Sequence, residues 1–92
     1  MPLTLDALTI LDAIERRGSF ARAAEELARA PSSLTYAVQQ MEADLDVLLF
    51  DRSGHRARFT PAGRVLLEEG RGLLAAADAL AHKTRQVAGG WE

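Results

Sequence analysis

Hydrophobic and polar positions follow a helical period along most of this chain. Leu8, Leu11 and Ile14 recur every three residues between Thr4, whose hydroxyl suits a helix N-cap, and Gly18, a natural helix stop. A first helix is predicted there. Ser19 then caps a short second helix in which Phe20, Ala23, Ala24 and Leu27 fall at i, i+3, i+4 and i+7, a single apolar stripe. The adjacent small Ala23 and Ala24 let another helix come close. Pro31 marks the start of a third helix, because its fixed φ suits the first helical position and its missing N–H lacks a partner there anyway. Leu34, Val38, Met41 and Leu45 form the apolar stripe of that helix, and Ser32, Thr35, Tyr36 and Gln39 share its opposite side.

The period changes in "VLLFDRSGHRARFT", residues 47–60, where two short apolar or alternating segments flank a Ser53-Gly54 turn signal. A small β-hairpin is predicted. Thr60 and Pro61 then form a cap and first-turn pair, opening a helix that can run to Ala88, roughly 40 Å at ~1.5 Å per residue. Leu66, Leu73, Leu80 and Val87 recur along it every seven residues, with small Ala62, Gly70, Ala77 and Thr84 on the same side. A heptad that outruns a small domain asks for a partner helix, so Leu66, Gly70, Leu73, Ala77, Leu80 and Val87 are the expected dimer seam.

The predicted fold is mainly α: a winged helix-turn-helix of three helices and a small hairpin wing, followed by a long linker helix. The expected divisions are residues 1–60 for the winged domain, with the helix-turn-helix at about 19–42 and the wing at about 48–60. Residues 61–88 form the linker helix and 89–92 a tail.

Ninety-two residues with 48% hydrophobic content allow one small domain. With no cysteine there are no disulfides, thiolate metal sites or thiol catalysis. The N-terminus "MPLTLDALTI" lacks a basic segment before an apolar core, and no run of apolar residues is long enough to span a bilayer, so a cytoplasmic chain without membrane contact is expected. His55 and His82 are isolated, and neither a phosphate-binding glycine loop nor a metal-spaced ligand set is present. These absences argue against an enzyme. Glu25, Glu26, Glu42, Asp44 and Asp46 read as solvated helix faces.

The net charge of −2 hides an asymmetry: residues 1–48 carry −4, residues 49–64 carry +3 and residues 65–92 carry −1. The cations therefore concentrate on the predicted hairpin, as Arg52, Arg56 and Arg58 with His55, while no Lys or Arg occurs from Ala30 to Asp51. A local basic patch governs nucleic-acid binding more than the sum does.

The order of "GSFARAAEEL" (18–27), "SSLTYAVQQME" (32–42), "LDVLLFDRSG" (45–54) and "FTPAGRVLL" (59–67) resembles the DNA-binding domain of LysR-type transcriptional regulators over nearly the whole chain. The resemblance implies sequence-specific binding to double-stranded DNA by a homodimer joined through the linker helix, with higher oligomers possible in a full-length parent. It also implies a C-terminal domain, absent from this chain, that binds a small-molecule effector; no cofactor is expected in the chain itself. Pro31, Ser32, Thr35 and Tyr36 correspond to positions that face bases. Where the family commonly has Ser-Gln-Pro, this chain has Ala30, Pro31 and Ser32, and where an Arg often follows the family's Ser, it has Thr35 and Tyr36.

Sequence reading then falls to neutral groups on the third helix. Phosphate or minor-groove contact falls to Ser19, Arg22, Gln39, Arg52, His55, Arg56 and Arg58. Three of these have structural readings as well: Arg58 can pair with Asp51 across the hairpin, Arg52 can brace the hairpin against the body, and Ser19 can serve as a cap. The competing function is a winged-helix module that binds protein through the third helix without direct DNA readout, which the missing recognition cations favour and the basic hairpin opposes.

Overall fold

The computed structural model of the protein describes residues 3–51 and 57–89. Its elements are α1 (Leu5–Arg17), α2 (Phe20–Leu27), α3 (Pro31–Leu45), β1 (Phe50–Asp51), β2 (Arg58–Phe59) and α4 (Pro61–Ala88). The helix boundaries follow local chemistry. Thr4 Oγ1 accepts the Ala7 N–H at 3.0 Å to open α1, and Gly18 closes it at φ 87°. Ser19 Oγ accepts the Arg22 N–H at 3.1 Å to open α2. Thr60 Oγ1 accepts the Gly63 N–H at 3.0 Å to open α4, with Pro61 in its first turn. β1 and β2 pair antiparallel with Phe50 opposite Phe59 and Asp51 opposite Arg58.

Leu8, Ile10, Leu11 and Ile14 of α1 are at the centre of the core, surrounded by Ala23, Ala24, Leu34, Val38, Met41, Leu49, Phe50 and Leu67. The paired alanines of α2 bury completely, as a close helix approach requires. Phe50 joins the wing to the body: its ring meets Phe20 edge-on at 5.2 Å and Phe59 at 4.4 Å between centroids.

The first turns of α4 belong to this core. Leu67 is buried, and a Cβ built on Gly70 would lie 2.8 Å from Cδ2 of Leu8. One expectation changes as a result: Gly70 is not on an outward seam but under Leu8 of α1. Leu66 is likewise half-buried against the core, and Ala77 is half-buried, whereas Leu73, Leu80 and Val87 are exposed by 54%, 64% and 77%. On a helix advancing ~100° per residue, the side carrying Gly63, Leu67, Gly70 and Leu74 is turned roughly 70° from Leu66, so the inward face and the heptad stripe are separate.

Ion pairs fix α1 against its neighbours. Asp12 receives Arg16 at 2.8 Å and Arg71 of α4 at 2.7 Å, Glu15 receives Arg64 at 3.1 Å, and Arg16 also reaches Glu26 of α2. Partial burial pushes the Asp12 carboxyl upward, but the hydrogen bonds from Arg16 and Arg71 outweigh it and hold the group below its ordinary 3.8. The hydrogen bond from Arg29 lowers Asp6, and that from Arg16 lowers Glu26. A depressed carboxylate pKa stabilises the fold above the unfolded value, and that contribution disappears as pH falls through the folded one. Thermal stability is therefore expected to drop below about pH 4. Melting curves of Asp12→Asn should show a smaller drop over that window; an unchanged drop would exclude Asp12 as a contributor.

Candidate nucleic-acid interface

The short turn between α2 and α3 presents one side of α3 to solvent. Ser32, Ser33, Thr35, Tyr36, Gln39 and Gln40 are all exposed, Tyr36 by 66%, while Leu34, Val38 and Met41 face inward. Pro31 is exposed at the first helical position, and Ala30 supplies no side-chain cap, so the positive end of the helix dipole is not covered by a side-chain oxygen. Thr35 donates its hydroxyl to the Pro31 carbonyl at 3.2 Å, which turns its proton inward and leaves its methyl group and lone pairs for other contacts. The result is an accessible polar face with no formal charge.

Most of the body's arginines are engaged elsewhere. Arg16, Arg64 and Arg71 hold carboxylates of α1 and α2, and Arg29, just ahead of α3, makes a two-point contact with Asp6. Arg22 on α2 and Arg58 on β2 are exposed and form no ion pair among the described residues. Arg58 is directly opposite Asp51 in the hairpin register. Ser19 is half-buried and serves as the cap of α2. Arg52, His55 and Arg56 lie outside the described residues, so the tip of the expected basic wing does too.

Glu42 departs from its expected place on a solvated face. It is only 8% exposed, and its Oε2 accepts the Leu49 N–H at 2.8 Å, joining the C-terminal half of α3 to the root of the wing. From there the chain is tied onward. The Leu49 carbonyl accepts the Thr60 N–H at 3.0 Å, and Thr60 Oγ1 donates to the Leu48 carbonyl at 2.7 Å. α3, the root of the wing and the start of α4 thus share one hydrogen-bonded junction, with the Glu42–Leu49 bond buried within it. Replacing Glu42 with Ala strips the Leu49 N–H of its acceptor and is expected to cost about 1–3 kcal/mol. Glu42→Gln keeps an acceptor oxygen and should recover part of that loss; equal denaturation midpoints for Ala and wild type would refute the role.

Among the described residues no cluster of three His, Asp or Glu side chains is placed to hold a metal ion, and no helix is long and apolar enough to cross a membrane.

Comparison with known proteins agrees with this geometry. The family described as "Bacterial regulatory helix-turn-helix protein, lysR family" matches residues 5–64. Over 90 residues, 98% of the chain, the sequence is 61% identical to the probable HTH-type transcriptional regulator YhaJ of Escherichia coli, and it is 49% identical over 88 residues to the HTH-type transcriptional regulator YeeY of Escherichia coli. It spans only 30% of the first of these and 28% of the second. Among solved structures, a BenM DBD/catB site 1 DNA complex superposes with a TM-score of 0.91 at 26% identity, covering 95% of this chain and 94% of that one. A CbnR DBD–DNA complex gives 0.87 at 31% identity, covering 94% and 99%. These relatives are transcriptional regulators, not enzymes. The chain is a winged helix-turn-helix DNA-binding domain and belongs to the lysR family of bacterial regulatory helix-turn-helix proteins.

Proposed function

We propose that this domain binds operator DNA as a homodimer, with α3 in the major groove and the wing on the adjacent backbone or minor groove. The observation that carries the reading is the exposed, uncharged face of α3, set in a frame that superposes on domains solved bound to DNA. Ser32, Thr35 and Tyr36 then face base edges, with Pro31 close by at the helix start. Arg22 and Arg58 neutralise phosphates, joined by Arg52, His55 and Arg56, and Ser19 and Gln39 contact backbone oxygens. The absence of cations on α3 explains why this work falls to its neighbours.

The dimer forms along the exposed stripe of α4, from Leu73 through Leu80 to Val87, which the domain leaves uncovered. One uncharged helix discriminates weakly, and two joined half-sites multiply a modest preference. In the longer regulator, effector sensing resides in a segment beyond this domain, and the protein acts in the cytoplasm.

The reading is tested by Thr35→Glu, which places a carboxylate on an exposed position of the docking face. Affinity for a selected duplex, followed by fluorescence anisotropy, is expected to fall more than about 100-fold as phosphate repulsion replaces contact. A paired variant, Arg22→Ala with Arg58→Ala, should weaken all duplexes alike and reduce the salt slope by about 2. Unchanged affinity of Thr35→Glu would overturn the placement of α3 and return the protein-binding alternative to first place.

A further inference from the structure

We infer that the α3 face reads the C5-methyl groups of thymine, with Tyr36 as the specificity-determining residue and Thr35 beside it. The inference rests on the groove placement proposed above and specifies what is recognised there.

Guanine is most often recognised by a bidentate Arg or Lys at its O6 and N7. From Pro31 to Leu45 α3 carries neither residue. Arg29, the guanidinium nearest in sequence to its start, is held in a two-point contact by Asp6. Among the described residues no other arginine is on α3 or on the turn before it.

The groups that are present have a different chemistry. With a repeat of ~100° per residue, Ser32, Thr35, Tyr36 and Gln39 fall within a sector of roughly 100°, opposite Leu34, Val38 and Met41. Tyr36 has the largest apolar surface on this sector and is 66% exposed. A phenol ring held in the groove gains by covering an apolar partner, and the thymine methyl is the apolar group that the major-groove edges of unmodified bases offer. Thr35 adds a second methyl, since its hydroxyl proton is directed at the Pro31 carbonyl. Gln39, one turn on, is of the type that pairs with adenine N6 and N7. The face therefore fits thymine–adenine steps, and its discrimination comes from burying methyl groups rather than from charge.

The test removes the methyl and nothing else. Duplexes selected by this chain from a random pool are resynthesised with 2′-deoxyuridine replacing thymine, one position at a time. Wild-type affinity is expected to fall about three- to fourfold at one or two positions in each half-site, the effect of exposing one methyl-sized apolar group. Tyr36→Phe should keep that sensitivity. Tyr36→Ala, an exposed substitution whose folding is checked by circular dichroism, should bind more weakly and lose it. Converting a sensitive T·A pair to C·G should weaken binding, and 5-methylcytosine at that position should restore part of the loss.

Full tolerance of deoxyuridine by a chain that still selects specific duplexes would overturn methyl reading while leaving groove docking intact. Retained sensitivity in Tyr36→Ala would overturn the assignment to Tyr36. Failure to retain any duplex would instead defeat the underlying DNA reading, and this inference with it.

Discussion

A chain carrying both Leu73→Glu and Leu80→Glu is expected to fold like its parent and to lose about 100-fold in affinity for a two-half-site operator, the factor that linkage of two modules supplies. Folding survives because the two positions are 54% and 64% exposed and neither is part of the core cluster. Dimerisation does not survive, because two carboxylates replace apolar contacts along the stripe on which a partner helix would seat. Sedimentation should report a monomer, and binding to a single half-site should change little. A dimer that persists would show that the copies meet through another surface. The remainder of α4 makes this result informative: Leu66, Leu67, Gly70 and Leu74 already pack within the domain, so the distal residues form the free portion.

The largest effect on stability is expected from Gly63→Ala. A Cβ at this position would lie 2.1 Å from the Leu49 carbonyl oxygen and 3.1 Å from the Phe59 ring. The first of these is backbone and cannot turn aside. Relief requires the start of α4 to withdraw from Leu49, which breaks the Thr60 N–H bond to the same carbonyl and the Thr60 hydroxyl bond to Leu48. The cost is expected to be about 3 kcal/mol, or roughly 12–24 °C in Tm for a domain of this size. Gly72→Ala supplies the contrast. Nothing lies within 4 Å of its added Cβ, and the better helix former should stabilise α4 by about 0.8–1 kcal/mol. If both substitutions moved Tm alike, close approach at Gly63 would not be the cause.

What could be read in the sequence depended on how local the cause was. Thr4, Ser19 and Thr60 act on N–H groups three residues away, so their caps were visible in residue type and spacing alone. The inward stripe of α3 was equally legible, because Leu34, Val38 and Met41 obey a single helical period. Glu42 was not. It is at the margin of that stripe, and its burial depends on the Leu49 N–H, brought back by a chain reversal that helix periodicity does not encode. Gly70 was misassigned for a related reason. The heptad identified a real exposed stripe, but a glycine near its edge serves Leu8 of α1, and only the α1–α4 packing reveals which side it joins. The exposed face of α3 was legible as a set of polar positions. That the body's arginines were committed to carboxylates on α1 and α2 required the tertiary pairing of Arg29 with Asp6 and of Arg64 with Glu15.

The central question is whether two copies of α3, each presenting an uncharged face, read duplex DNA. The most direct measurement is selection of a random duplex pool by this chain, with sequencing, at two salt concentrations. The expected result is an enriched inverted repeat rich in thymine and adenine, and affinity that falls steeply with salt, with a slope of about −0.9 for each phosphate contacted. No enrichment, together with no retention at low salt, would contradict it.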